Sequence, residues 1–393
     1  MNNSVANSVF SFSRRQLFKL SVLAFAGLSS LTAIAAPDFV PPAPAIAGRA
    51  YIVNDFYSNT TLASVDADKR VEPASLTKLM TAYLTFKAVK EGKIKLDQAL
   101  VPSVKAWKIE GSRMFVEPNK PVRVDDLIKG MIVQSGNDAC ITLAEAIAGS
   151  EETFAHMMND MAKKLGMKNT HFMNATGLPN ADHYTTARDL SILAARIIRD
   201  FPEFFPIYSM KDFTYNGVKQ PNRNLLLWRD PNVDGMKTGH TNSAGFCLVG
   251  TMKRDGRRVV SVVLGTANEE ARATESLKLL NYGIQFFDTP KLYAKGQAIQ
   301  QVKVWKGSEE SLGVGFLQDF YMTLPKGAAS RVKVKLVTQQ PLIAPVVGGQ
   351  KVGQITFSLD GKALGTYPVV ALKQVSQAGV WGRMKDSVKL WFE

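Results

Sequence analysis

Through roughly the first two thirds of the chain, apolar residues recur mainly at helical spacing. Beyond Pro290 they alternate in short runs broken by glycine and proline. Residues three or four apart share a helix face and alternate residues share a strand face, so this change of period separates two kinds of structure. The spacing predicts helices over Leu76 to Val89, ending near Glu91-Gly92, and over Val124 to Met131, Asp138 to Ile147, Glu151 to Leu165, Thr186 to Asp200 and Glu269 to Phe287. Gly166 stands just beyond Leu165, where a helix stop belongs. Tyr51 to Asn54 and Thr61 to Val65 alternate instead, around Asn59 and Thr60, and read as a hairpin. Phe246 to Met252 and Val259 to Leu264 flank Arg254-Asp255-Gly256, and an Asp-Gly pair between alternating runs is a strong hairpin signal.

From Val302 to about Ala371 nearly every segment is short and alternating, clearest in Val332 to Val337 and in Gln354 to Leu359 with its Asp360-Gly361 turn. This predicts a second, small all-β domain. At the end, Val380, Trp381, Met384, Val388 and Trp391 fall on one helical face, with Lys385, Asp386 and Lys389 on the other. Such a helix either packs on its own domain or lies in a membrane interface, and two tryptophans with interleaved lysines suit the interface. The fold class is therefore α+β: a mixed domain over 36–288, an all-β domain over 289–376 and an amphipathic tail helix over 377–393.

Arg14, Arg15 and Lys19 precede an apolar run from Leu20 to Ile34, and Ala33-Ile34-Ala35 offers small residues for cleavage. Residues 1–35 read as an export signal, with the mature chain beginning near Ala36. The run is shorter than the roughly 20 residues a spanning helix needs. Ser13 to Lys19 also has a twin-arginine character, so both export routes stay open. The net charge of +14 suggests nucleic acid, but export argues against that partner; lysines spread along the chain suit a solvated surface facing anionic lipid or wall polymer. Cys140 and Cys247 read as two buried, inert thiols. The four histidines, His156, His171, His183 and His240, show no His-Glu-x-x-His spacing, and no metal or cofactor is expected.

Three short motifs follow in order: Ser75-Leu76-Thr77-Lys78, Ser135-Gly136-Asn137 and Lys237-Thr238-Gly239. Each alone is weak, since a serine with a lysine three places later is common on exposed helices; the conjunction is informative. The first sits at a helix start after Pro73-Ala74, so Ser75 and Lys78 lie one turn apart on one face. A serine needs a base within reach to become a nucleophile, and lysine serves only if burial and nearby cations bring its pKa down from about 10.4 toward neutrality. The second falls between two helices, where both flanking side chains can point into a cleft. Asp138 is expected to cap the following helix, which leaves Ser135 and Asn137 without a structural duty. The third enters a strand from Val233-Asp234-Gly235-Met236, and a strand edge of this kind can align a peptide backbone and hold a carboxylate.

The motifs, their order and their separations resemble the serine penicillin-binding proteins and β-lactamases. Pro73-Ala74-Ser75-Leu76-Thr77-Lys78, Gln134-Ser135-Gly136-Asn137-Asp138-Ala139-Cys140 and Val233-Asp234-Gly235-Met236-Lys237-Thr238-Gly239-His240-Thr241 look like the D-Ala-D-Ala carboxypeptidases of the penicillin-binding protein 5 and 6 type. The resemblance runs from about Tyr51 through the β domain and tail. It implies a β-lactamase/transpeptidase-like domain, with a helical subdomain on an antiparallel five-stranded sheet. It also implies a serine-type hydrolase that removes the terminal D-alanine from peptidoglycan pentapeptide stems through an acyl-enzyme and is acylated by β-lactams. Its place would be the periplasmic side of the cytoplasmic membrane, in peripheral contact through the tail.

By that resemblance Ser75 is the nucleophile, Lys78 its general base, Ser135 the proton relay to the departing D-alanine, and Asn137 the group that orients substrate and Lys78. Lys237, Thr238 and Gly239 meet the substrate, Arg272 adds a second cation for its carboxylate, and the backbone N–H groups of Ser75 and His240 form the oxyanion hole. Arg272 otherwise reads as a surface residue at the start of the last helix. Two features depart from the pattern: the segment Trp107 to Phe115 looks shorter than in enteric members, and Thr176 precedes Gly177 where some members have histidine. A serine β-lactamase is the nearest rival, but class A enzymes deacylate with a glutamate, and no Glu-x-x-x-Asn pattern lies between Ser135 and Lys237. A non-catalytic penicillin-binding wall scaffold is the other alternative, against which the intact Ser75, Lys78, Ser135 and Lys237 argue.

Overall fold

The computed structural model describes residues 40–392, so the predicted export segment lies outside the described residues. Five antiparallel strands form the main sheet: β1 (Ala50–Asp55), β2 (Thr61–Val65), β3 (Val233–Thr241), β4 (Gly245–Arg254) and β5 (Arg257–Thr266), in the order β2-β1-β5-β4-β3. Asp255 and Gly256 take φ values of +51° and +77° between β4 and β5, as a two-residue hairpin turn demands. The sheet is buried on both faces, which its valine-rich central strand already suggests. Val260 and Val262 of β5 join a core with α4 (Ala187–Asp200), whereas Val259 and Val263 face α5 (Glu269–Gln285).

The helical subdomain holds α1 (Lys78–Lys90), α2 (Asn137–Ala148) and α3 (Glu151–Leu165). Most ends follow local chemistry. Ser150 caps α3 by accepting from Thr153 N at 3.1 Å, Gly166 closes it at φ +82°, and Thr186 caps α4 by accepting from Asp189 N. Three predicted helices differ from expectation. A one-turn 3-10 segment, Ala74–Thr77, precedes α1; the helix from Val124 ends at Lys129 and gives way to a π-turn, Gly130–Gln134; and α5 stops at Gln285.

Asp138 does not cap α2. The helix begins a residue earlier, at Asn137 behind Gly136, so Asp138 lies inside the first turn. Its carboxylate accepts from Ala139 N in that turn and reaches a neighbouring loop, accepting from Met114 N, Phe115 N and Val116 N at 3.0, 2.8 and 3.1 Å.

After Pro290 the chain builds a six-stranded sheet around Val314, Ile355, Phe357 and Val369, all fully buried. Buried Asp55 of β1 anchors it, accepting from Thr289 Oγ1 at 2.5 Å and from Arg257 Nη2 at 3.0 Å, while Tyr57 stacks on Tyr321 with ring centroids 5.0 Å apart. The tail helix α6 (Val380–Trp391) hangs from this domain, with Lys306 N donating to Asp386 Oδ2 at 2.6 Å. Its apolar face stays in solvent: Trp381 is 84% and Trp391 87% exposed. Among the described residues no helix is long and apolar enough to cross a membrane.

Candidate active site

Ser75 stands in the 3-10 turn, next to Ala74 in the left-handed region at φ +48°, a conformation that β-carbon sterics disfavour. Lys78 follows as the first residue of α1. One turn of helix therefore brings its Nζ within 3.0 Å of Ser75 Oγ, as the spacing required. Nζ also donates to Thr176 O at 2.6 Å. Lys78 is 1% exposed, and burial, aided by the positive charge of Arg223, pushes its pKa down from 10.5 to about 8. A substantial neutral fraction is thus present near physiological pH, and neutral lysine can accept the serine proton.

Ser135 ends the π-turn in the left-handed conformation, φ +67° and ψ +34°. Lys237 of β3 donates to Ser135 Oγ at 3.0 Å and to Thr238 O at 2.9 Å. Its own pKa lies well below the ordinary lysine value, first because it is buried and then because Lys78 and Arg223 are close cations. The two Ser–Lys pairs therefore share one desolvated, cation-crowded region.

The remaining residues line an open cleft of roughly 350 Å³. Thr238, Gly239 and His240 form its strand wall, and Gly239 sits so close to the Ser75 turn that a β-carbon there would lie 3.1 Å from Leu76 Cγ. The His240 ring stacks on Phe246 at 3.9 Å. Arg272 is not a surface residue: it is 3% exposed, reaches the cleft, and donates to Arg223 O at 3.2 Å and, more weakly, to Glu269 Oε1 at 3.4 Å. Asn137 donates through Nδ2 to Glu110 O at 2.7 Å, and among the described residues no hydrogen bond joins it to Lys78. Cys140 and Cys247 are free and buried, and no group of side chains among the described residues could hold a metal.

Residues 38–268 match the family described as D-alanyl-D-alanine carboxypeptidase, and residues 287–377 match the penicillin-binding protein 5 C-terminal domain. The chain belongs to the D-alanyl-D-alanine carboxypeptidase family. It is 41% identical to D-alanyl-D-alanine carboxypeptidase DacC of Escherichia coli K12 across 94% of each chain, and 38% identical to DacA of the same organism across 97% of this chain and 98% of that one. The solved structure of penicillin-binding protein 5 from Haemophilus influenzae, 40% identical, superposes with a TM-score of 0.84 over 86% of this chain and all of that one. Penicillin-binding protein D2 from Listeria monocytogenes in its ampicillin-bound form, 33% identical, matches 62% of this chain with a TM-score of 0.58.

For this family member neither the motifs nor the spacing singled out Arg223 and Glu269, while Gly111, Ser112 and Thr176 lie in the two segments already marked as departures from the family pattern. Arg223 lies in Asn222-Arg223-Asn224, which no periodicity singles out. A carbonyl oxygen belongs to every residue type, so the Thr176 contact has no sequence signature at all.

Proposed function

We propose that this chain is a serine-type D-Ala-D-Ala carboxypeptidase that removes the terminal D-alanine of peptidoglycan pentapeptide stems through an acyl-enzyme. The observation that carries this reading is the pair of buried contacts, Lys78 Nζ to Ser75 Oγ and Lys237 Nζ to Ser135 Oγ, each 3.0 Å long. Neutral Lys78 takes the proton as Ser75 Oγ attacks the carbonyl of the penultimate D-alanine. The N–H groups of Ser75 and His240 hold the developing oxyanion, an interaction whose loss costs about a hundred- to a thousandfold in comparable enzymes. Ser135, polarised by Lys237, passes a proton to the departing D-alanine nitrogen and takes one back from the Lys78 ammonium, which returns to the neutral amine. The substrate carboxylate meets Thr238, Lys237 and Arg272, and Asn137 orients the peptide. Water then attacks the acyl-enzyme, with Lys78 again as the base.

β-Lactams would acylate the same Ser75, in keeping with the ampicillin-bound relative. Among the described residues no carboxylate hydrogen-bonds Ser75 or Lys78, which favours a long-lived penicilloyl adduct over β-lactamase turnover. The N-terminal pattern supports export, and the exposed apolar face of α6 supports peripheral contact with the outer face of the cytoplasmic membrane.

The decisive experiment is mass spectrometry of a pentapeptide ending in D-Ala-D-Ala after incubation with wild type and with Ser75→Ala. Loss of one alanine with wild type alone is expected. No loss with folded wild type would point to a penicillin-binding scaffold.

A further inference from the structure

We propose that Asp138 is a positioning residue for the acyl-transfer site, holding the segment Glu110–Val116, of which Gly111 and Ser112 line the cleft, in register with Asn137; this rests on the carboxypeptidase reading above. Asp138 is 1% exposed, and among the described residues no ion pair neutralises it. Its carboxylate is satisfied by backbone amides alone. Oδ1 accepts from Met114 N and Ala139 N at 3.0 and 2.9 Å, and Oδ2 from Phe115 N and Val116 N at 2.8 and 3.1 Å. Bonds of this charge-assisted kind are stronger than neutral ones and direct the amides toward one point.

The segment that they hold is strained. Phe115 has φ +72°, which is costly for a bulky residue, yet the residue is 47% exposed, so deep burial of its side chain does not impose that conformation. Three successive amides, those of Met114, Phe115 and Val116, converge on the carboxylate there. Space around it is limited as well, for a β-carbon on Gly136 would lie 2.8 Å from Asp138 Oδ1 and 3.2 Å from Met114 N.

The cleft end of the same segment is bonded to the neighbouring residue. Asn137 N donates to Ser112 O at 2.7 Å and Asn137 Nδ2 to Glu110 O at 2.7 Å, while Gly111 and Ser112 line the cleft. Asn137 and Asp138, adjacent on the first turn of α2, thus grip opposite ends of one short loop. Loosening the Asp138 end frees the loop to shift against Asn137 and against Ser135 two residues earlier. Misplacement of about 1 Å at such a distance can cost up to about a hundredfold in rate.

Asp138→Asn preserves shape but turns an N–H donor toward at least one of the loop amides, leaving that amide without an acceptor. Active sites are counted by stoichiometric labelling with fluorescent penicillin, and kcat and KM for a D-Ala-D-Ala peptide are expressed per labelled site. We expect kcat/KM per site to fall about tenfold to a hundredfold, with faster hydrogen exchange at Met114, Phe115 and Val116. Wild-type kcat and KM per site, despite faster exchange, would reduce Asp138 to a purely structural role and overturn the proposal. Phe115→Gly relieves the strain but keeps all the amide bonds, so wild-type kinetics are expected; a loss like that of Asp138→Asn would assign the effect to the ring instead. Should Asp138→Asn fail to fold, exchange in wild type decides: protection of these amides is expected, and rapid exchange would sink the idea. Wild-type peptide turnover, measured alongside, tests the carboxypeptidase reading separately.

Discussion

A β-carbon placed on Gly177 would lie 1.8 Å from the carbonyl oxygen of Ala74, the residue that opens the turn carrying Ser75. Gly177 also has φ +88°, and its segment is held by Asn174 Oδ1, which accepts from Gly177 N at 2.7 Å and Thr176 N at 3.2 Å. The Ser75 turn and the carbonyl that receives Lys78 are thus packed against each other through a residue with no side chain. Gly177→Ala should slow acylation by benzylpenicillin by about a hundredfold. Labelling of folded variant at the wild-type rate would show that the turn yields freely.

The lowered pKa of Lys78 sets a pH dependence with a definite sign. In the proposed mechanism the neutral amine is the active form, so acylation should level off above about pH 8 and fall by about tenfold for each pH unit below it. Stopped-flow acylation across pH would check this, and a rate independent of pH through that range would remove Lys78 as the base. Lys78→Arg, which stays protonated, should lose activity at every pH.

Arg272 should read the substrate's free carboxylate. Arg272→Gln is expected to lower kcat/KM on a peptide ending in D-Ala-D-Ala by about tenfold to a hundredfold, the range of a charged hydrogen bond. The same substitution should have little effect on the C-terminally amidated peptide. Equal losses on both peptides would show that Arg272 supports the fold rather than the carboxylate.

Deleting Gly379 to Glu393 should move the protein from the membrane to the soluble fraction while leaving activity on a small peptide intact. The reason is that Trp381 and Trp391 find no cover in their own domain. Unchanged fractionation on vesicle flotation would rule out the tail as the anchor.

Much of the fold was legible because it depends on near neighbours. Ser150 and Gly166 bracket α3, and Asp255-Gly256 turns β4 into β5, each through interactions spanning a few residues. The end of the helix from Val124 was not legible, since the apolar period runs on through the buried π-turn that delivers Ser135 in a left-handed conformation. Asp138 was misjudged for a related reason: a helix that starts one residue earlier changes a cap into an inward carboxylate. Arg272, open as a surface residue, proved buried because α5 packs on the sheet beside the cleft.

By itself the sequence determined which serine has a lysine one helical turn away, where the strands turn, and that Ser135 and Lys237 accompany that pair. It could not determine that the pKa of Lys78 would be lowered. That was decided by segments distant along the chain: the cover that excludes water from Lys78 and, after it, the Arg223 charge. Spacing along a helix is a local property, whereas desolvation is the sum of everything that packs around a group, and only the tertiary structure supplies that sum.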